Sequence, residues 1–246
     1  MRSAGSGPPD AADSLGGMDP QDAPLLTARE LVAGYGDFEV CGPLDLVFGR
    51  GDALGIVGLN AAGKSTLLRT LIGRQPPVSG RAALLGVFTD DTSHVHRRLV
   101  SAVFDEDAFF DSLTVEEHLQ LIVSGHGVAD GQEAVDRELE FFELTIARDA
   151  LPGALSSGQR RRLLLAAGLV RPAELLVLDE PEQRLDPPMR AKLAVRLRAR
   201  IADGGAVLLV THDAVLLTTV VDRCLIVDEG LRFASAGEGA AAIGGA

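Results

Sequence analysis

The sequence predicts an α/β fold built on a mainly parallel sheet, and three observations point to it. Short apolar runs alternate with helical patterns through most of the chain. Strands separated by crossover helices imply parallel pairing, with helices on both faces. Two of the runs, Ala53–Gly58 and Leu175–Asp179, read as strands buried on both sides. A helical stretch at about 105–157 then interrupts the alternation and reads as an inserted helical subdomain.

Residues 1–24 are rich in Gly, Pro, Ser and Asp, too polar to bury a core, and predict a disordered tail. The folded domain is expected over 25–233, and the Ala/Gly-rich 234–246 reads as a flexible tail. Within the domain, a strand over Ala53–Gly58 leads into a helix over Lys64–Gly73, and Leu99–Phe104 is a strand. Val115–Ser124 and Gln132–Phe142 are helical. Gly158–Val170 is a helix with an apolar face, and Leu175–Asp179 is a strand. Pro187–Ala202 is a helix, followed by strands at Ala206–Val210 and Arg223–Val227.

Composition excludes several classes of function. No apolar run approaches the ~18 residues that cross a bilayer, so no direct membrane insertion is expected. The first residues lack a charged patch followed by an apolar stretch, so no secretion signal is expected either. Two cysteines, Cys41 and Cys224, are too few for a disulfide framework and suit a reduced cytosolic setting. The net charge of −12 speaks against non-specific nucleic-acid binding, which needs a basic footprint. That charge is localised: from Asp105 to Glu143 stand twelve acidic residues against one Arg137, giving −11. Such a run is a solvated face or a surface for a basic partner.

The segment Gly58-Leu59-Asn60-Ala61-Ala62-Gly63-Lys64-Ser65 fits G-x-x-x-x-G-K-[ST], between an apolar strand and a helical pattern. A strand-to-helix loop of this kind turns successive backbone N–H groups inward, and the helix N-terminus adds partial positive charge. Gly58, Asn60, Ala61, Ala62, Gly63, Lys64, Ser65 and Thr66 are therefore the candidate nucleotide-phosphate cradle. Lys64 is one of two lysines in a chain with 21 arginines. Its compact ammonium fits between phosphates where a planar guanidinium does not. The Ser65 hydroxyl is placed to ligate Mg²⁺. Leu175–Asp179 ends in Asp179-Glu180, two carboxylates at the sheet edge where ligands of α/β folds bind. Asp179 is expected to hold Mg²⁺ and Glu180 to take a proton from an attacking water.

Between these segments lies Leu155-Ser156-Ser157-Gly158-Gln159, with Gln159 twenty residues before Asp179. It resembles the L-S-G-G-Q signature of ABC transporter ATPases, and the resemblance extends over most of residues 26–233. It implies a P-loop NTPase core with an antiparallel β edge subdomain beside the parallel sheet. It makes Ser156, Gly158 and Gln159 a helix start that donates to the γ-phosphate held by an opposite subunit. It places Tyr35 where an aromatic stacks on adenine, and Leu185-Asp186 at the loop that contacts the partner. His212, thirty-two residues after Glu180, takes the position of the switch histidine.

What the resemblance implies as function is an ATPase, with ATP and Mg²⁺ as cofactors, that powers a separate membrane permease. It acts as a homodimer or heterodimer with two nucleotides at the interface. It is peripheral at the cytoplasmic face of the membrane, and its lack of a C-terminal regulatory domain leans toward the exporter type. The acidic 105–143 stretch overlaps the subdomain that receives a permease helix in the family, and basic permease loops would complement it. Three departures bear on this. Asp105 stands where the family has Gln, as a Mg²⁺ ligand or catalytic group that also repels a γ-phosphate. Ala61 and Ser157 replace glycines, the former costing ~1–2 kcal/mol if φ is positive there. Glu182 and Gln183 make the approach to Leu185 unusually polar. A degenerate cassette serving as a regulatory ATP-binding scaffold, or a soluble non-transport ABC ATPase, are the competing readings.

Overall fold

A computed structural model describes residues 23–105 and 108–244. In chain order the elements are β1 (Leu26–Tyr35), β2 (Phe38–Phe48), β3 (Ala53–Gly58), α1 (Lys64–Leu71), β4 (Ser79–Leu84), β5 (Val87–Phe88) and α2 (His94–Leu99). Then come β6 (Val100–Val103), α3 (Val115–Gly125), α4 (Gly131–Phe141), α5 (Ser157–Leu169), β7 (Leu175–Asp179) and α6 (Pro187–Ala202). The chain continues with β8 (Ala206–Val210), α7 (Ala214–Val220), β9 (Arg223–Val227), β10 (Leu231–Ser235) and α8 (Ala236–Gly244). The tail expected over 1–24 lies, except for its last two residues, outside the described residues.

The main sheet has the order β10-β9-β3-β8-β7-β6, parallel except for β10. All five residues of β7 and of β8 are buried. Their side chains alternate between two cores, as a two-residue period requires. Leu176, Leu178, Val207 and Leu209 join the helical side with α3 to α7. Leu175, Val177, Leu208 and Val210 face α1 and a second, antiparallel sheet of order β2-β1-β4-β5. That second sheet contributes Leu26, Leu31, Leu44 and Leu46 to the core. The mainly parallel core and the antiparallel edge sheet agree with the expected fold class. Among the described residues no helix is long and apolar enough to cross a membrane.

Helices α4 and α5 are shifted by one residue from the sequence reading, α3 ends one residue later, and three further boundaries differ. The helix from Lys64 ends at Leu71, and Gly73 turns the chain at φ +73°. Residues before Val100 form α2, capped by Ser93, so β6 is shorter than Leu99–Phe104. Of the flexible tail expected over 234–246, the described residues 234–244 are instead the end of β10, which pairs with β9, and α8. Ser235 and Glu238 bond reciprocally at the start of α8, at 2.9 Å from the Ser235 amide and 3.3 Å from the Glu238 amide. Gly239 then comes so close to Cys224 that a Cβ would stand 2.5 Å from its Sγ. Small residues here allow close packing, which an apolar-periodicity reading does not register.

Candidate functional site

The loop from β3 to α1 is shaped by two glycines without alternatives. Gly58 has φ +151°, and a Cβ there would stand 2.1 Å from the Val227 carbonyl oxygen. Gly63 has φ +93°, with a Cβ 2.5 Å from Val40. Ala61 lies between them at φ +63°, so this position does ask an L-residue to adopt a left-handed backbone. Asn60 and Ala61 are exposed on the loop, while Ala62 and Ser65 are half-buried. Lys64 is buried, and its Nζ donates to the carbonyls of Gly58 at 3.0 Å and Leu59 at 2.7 Å. Burial pushes the lysine toward its neutral form, and the nearby Glu180 and Asp179 carboxylates oppose that shift. The leading amides of α1 have no intrahelical partner and complete an anion cradle. Tyr35, exposed on β1, meets this helix: its hydroxyl lies 3.2 Å from Oγ1 of the buried Thr66.

Strand register brings the other half of the site to the same edge. β8 pairs with β3 on one side and β7 on the other, so the C-terminal ends of all three lie together. Asp179 is 6% exposed. Burial raises its pKa, and the neighbouring Ser65 hydroxyl partly offsets this, which brings the two motifs together. Its Oδ1 is buried without a partner. Among the described residues no cluster of three acidic, His or Cys side chains could hold a metal alone. One carboxylate with a spare oxygen beside a hydroxyl fits a divalent cation that takes its other ligands from phosphates and water.

Glu180 follows at φ +48°, its amide bonded to the Val210 carbonyl at 2.9 Å. His212 leaves the end of β8, and its Nε2 stands 3.3 Å from Glu180 Oε1. That nitrogen makes no hydrogen bond at this angle. A carboxylate and an imidazole face each other beside the phosphate cradle, poised to share a proton-bearing group.

Helix α5 begins with a capping box: Ser156 Oγ accepts from the Gln159 amide at 3.2 Å, and Gln159 Oε1 accepts from the Ser156 amide at 2.9 Å. Each side chain thus accepts from the other residue's backbone amide, and Ser156 is exposed. Gly158 passes the Arg184 backbone, with a Cβ at 3.1 Å from its carbonyl oxygen. Asp105, half exposed at the end of β6, lies 3.5 Å from the Arg184 guanidinium and 3.9 Å from that of Arg161. Its charge is met by arginines.

Three residues of the site were not singled out for a role by the sequence. Arg161 is fully buried and donates to the carbonyls of Phe104, Asp179 and Glu180 at 3.1, 2.8 and 2.7 Å. Its signal was present: a charged residue one helical turn before Leu165 and two before Gly168, on a face otherwise apolar. Glu182 is buried against the His212 amide, and Gln183 reaches Glu180. Their polarity was visible but their targets lie on another strand end and a side chain.

The sequence pattern of the ABC transporter family matches residues 41–183. The chain is 35% identical over 213 residues to the Nod factor export ATP-binding protein I of Ralstonia nicotianae, covering 86% of this chain and 66% of that protein. It is 32% identical over 231 residues to the protein of the same name from Rhizobium meliloti, covering 92% and 68%. The chain thus spans about two thirds of the length of the curated relatives it matches. Among solved structures, the ATP-binding subunit of an ABC transporter superposes with a TM-score of 0.78 at 26% identity, over 86% of this chain and 90% of that one. A dimeric ATP-binding cassette in a post-hydrolysis state, bound to ADP and Pi, shares the fold with a TM-score of 0.76 at 21% identity, over 86% and 98%. The family match runs from within β2, through the phosphate cradle and α5, to the turn behind the paired carboxylates, more than half of the sequence, and this chain belongs to the ABC transporter family.

Proposed function

We propose that this chain is the ATP-binding and ATP-hydrolysing subunit of an exporter-type ABC transporter that powers a separate membrane permease. The observation that carries the reading is the meeting of Lys64 and Ser65 with the Asp179 and Glu180 carboxylates at one sheet edge, with His212 Nε2 at 3.3 Å from Glu180 Oε1. It unites a phosphate cradle with the carboxylates that hydrolysis requires.

The residues act in sequence. Amides of the 58–66 loop and the Lys64 ammonium take the β- and γ-phosphates, the lysine exchanging its two carbonyl partners for phosphate oxygens. Tyr35 offers an exposed ring to the base. Ser65 and Asp179 would hold Mg²⁺, which when bound draws charge from the terminal phosphates. Glu180 receives a proton from water, and His212 orients the water and the γ-phosphate. Ser156 is exposed at the start of α5, with Gly158 and Gln159 in the same turn, which suits donation to a nucleotide held by a second cassette. The working form is then a homodimer or heterodimer, docked on a permease at the cytoplasmic face of the membrane. The names of the curated relatives support export as the direction.

The reading is tested by ATP turnover of the purified chain with and without Mg²⁺ and with Glu180→Gln. Loss of the base should lower kcat by roughly 10²–10⁴-fold. Chelation of Mg²⁺ should abolish turnover. One observation favours a second reading, a regulatory scaffold that binds ATP without turning it over: the residue standing where the family has Gln is a carboxylate, Asp105, held by Arg184 and Arg161. Wild-type turnover equal to that of Glu180→Gln, restored by Asp105→Gln, would favour the scaffold.

A further inference from the structure

The short turn after Glu180 carries two polar side chains that the mechanism above does not use. Glu182 is 6% exposed, and its Oε1 accepts the His212 backbone N–H at 2.7 Å. Its Oε2 is buried without a partner. An ionised group in such a place is costly unless a strong interaction retains it, and a charge-assisted bond to an amide is one. Gln183 is half-buried and donates its side-chain amide to Glu180 Oε2. Its backbone N–H bonds the Glu180 carbonyl at 3.1 Å, and the Leu185 N–H bonds that of Glu182 at 3.2 Å. The turn is therefore closed on itself, and its two side chains reach in different directions. One grips the segment carrying the histidine and the other grips the carboxylate.

The consequence is geometric. Asp179 and Glu180 are adjacent carboxylates that repel, and the Glu180 side chain is 22% exposed at the edge of the site. With Oε2 tied to Gln183, Oε1 is the oxygen left facing His212 Nε2 at 3.3 Å. The imidazole has its own freedom limited by the Glu182 bond to its backbone. We propose that Glu182 and Gln183 are positioning residues for hydrolysis, the first aligning His212 through its main chain and the second aligning the carboxylate of Glu180. This rests on the reading of Glu180 as general base.

The experiment is steady-state turnover and ATP binding of the full chain with Glu180→Gln, Gln183→Met, Glu182→Leu, Glu182→Gln, His212→Ala and the Glu182→Leu/His212→Ala double variant. Methionine keeps the length of Gln183 without its donor. We expect Gln183→Met to lower kcat roughly 5- to 30-fold with KM for ATP unchanged, the size of one lost hydrogen bond to a charged group. Glu182→Leu should lose a similar factor, Glu182→Gln should recover most of it, and the loss should vanish when His212 is already Ala. Wild-type kcat in Gln183→Met, or additive losses at 182 and 212, overturns the proposal. Should Glu182→Leu not fold, Gln183→Met, at a half-exposed site, decides alone. If Glu180→Gln turns over like wild type, the base reading fails and takes the positioning role with it. If Glu180→Gln is inactive while Gln183→Met is not impaired, only the positioning role falls.

Discussion

Single residues in this site carry costs that their positions explain. Ala61 holds φ +63° in a loop whose other turning points are glycines. Ala61→Gly should relieve that strain and stabilise the fold by about 1 kcal/mol, less the extra entropy of a glycine in the unfolded chain. In calorimetry this is a rise in Tm of at most roughly 2–4 °C. Glu182 pays in another way: burial pushes its pKa up, with the His212 amide only partly offsetting this. A carboxyl whose folded pKa is raised favours the fold when protonated. That contribution is present below the unfolded value, about 4.3, and is lost as pH rises through the folded one. Glu182→Gln should therefore be more stable than wild type near neutral pH, and the advantage should shrink on acidification. Thermal melts of both proteins across pH check it, and a gain that grows toward low pH contradicts it.

At the scale of elements, α5 links the two ends of the site. Its first turn carries the Ser156–Gln159 capping box, and its second turn sends Arg161 into the sheet edge. Arg161→Met leaves three buried carbonyls without their donor and should cost at least about 3 kcal/mol in denaturant unfolding. An unchanged unfolding midpoint would mean that other groups reach those carbonyls. The elements also show how legible the chain was. β7 and β8 were readable to the residue because a strand buried on both faces is a continuous apolar run. The helix α5 was readable because its cap and apolar face are local. Strands β1, β2 and β4 emerged only through resemblance, since β1 has register shifts against both neighbours and no clean alternation. Helix α8 was invisible, because Ala and Gly acquire meaning only against Cys224.

For the whole molecule the acidic 105–143 stretch takes a different meaning once folded. Glu116 and Asp136 pair with Arg148 at 2.6 and 3.2 Å, Glu143 pairs with Arg162 and Lys192 at 2.8 and 2.7 Å, and Glu138 is buried against Arg196. These charges hold the helical region to itself and to α6. Asp111, Asp130 and Glu140 are exposed and enter none of those pairs. If a basic permease segment docks here, reversing Asp130 and Glu140 should weaken assembly at low salt and leave ATP affinity unchanged. Reversing Glu138 should lower Tm instead. Co-purification with the permease at two salt concentrations, beside thermal melts, separates the two effects. The outward-facing Ser156 makes a second expectation: Glu180→Gln with ATP and Mg²⁺ should dimerise by light scattering, and the nucleotide-free chain should not.

From its sequence alone this chain determined the glycine-turned loop between β3 and α1, the buried strands and the acidic pair at a strand end. Each of these depends on neighbours along the backbone: a glycine's φ, a two-residue period, a lysine at a fixed offset. Tertiary structure alone decided which groups those residues meet. Glu182 finds His212 across 30 positions, and Arg161 finds Phe104 across 57. Asp105 turns to arginines rather than standing free. Such partnerships come from strand register and helix docking, which bring distant segments within hydrogen-bond reach, and no local pattern encodes that distance.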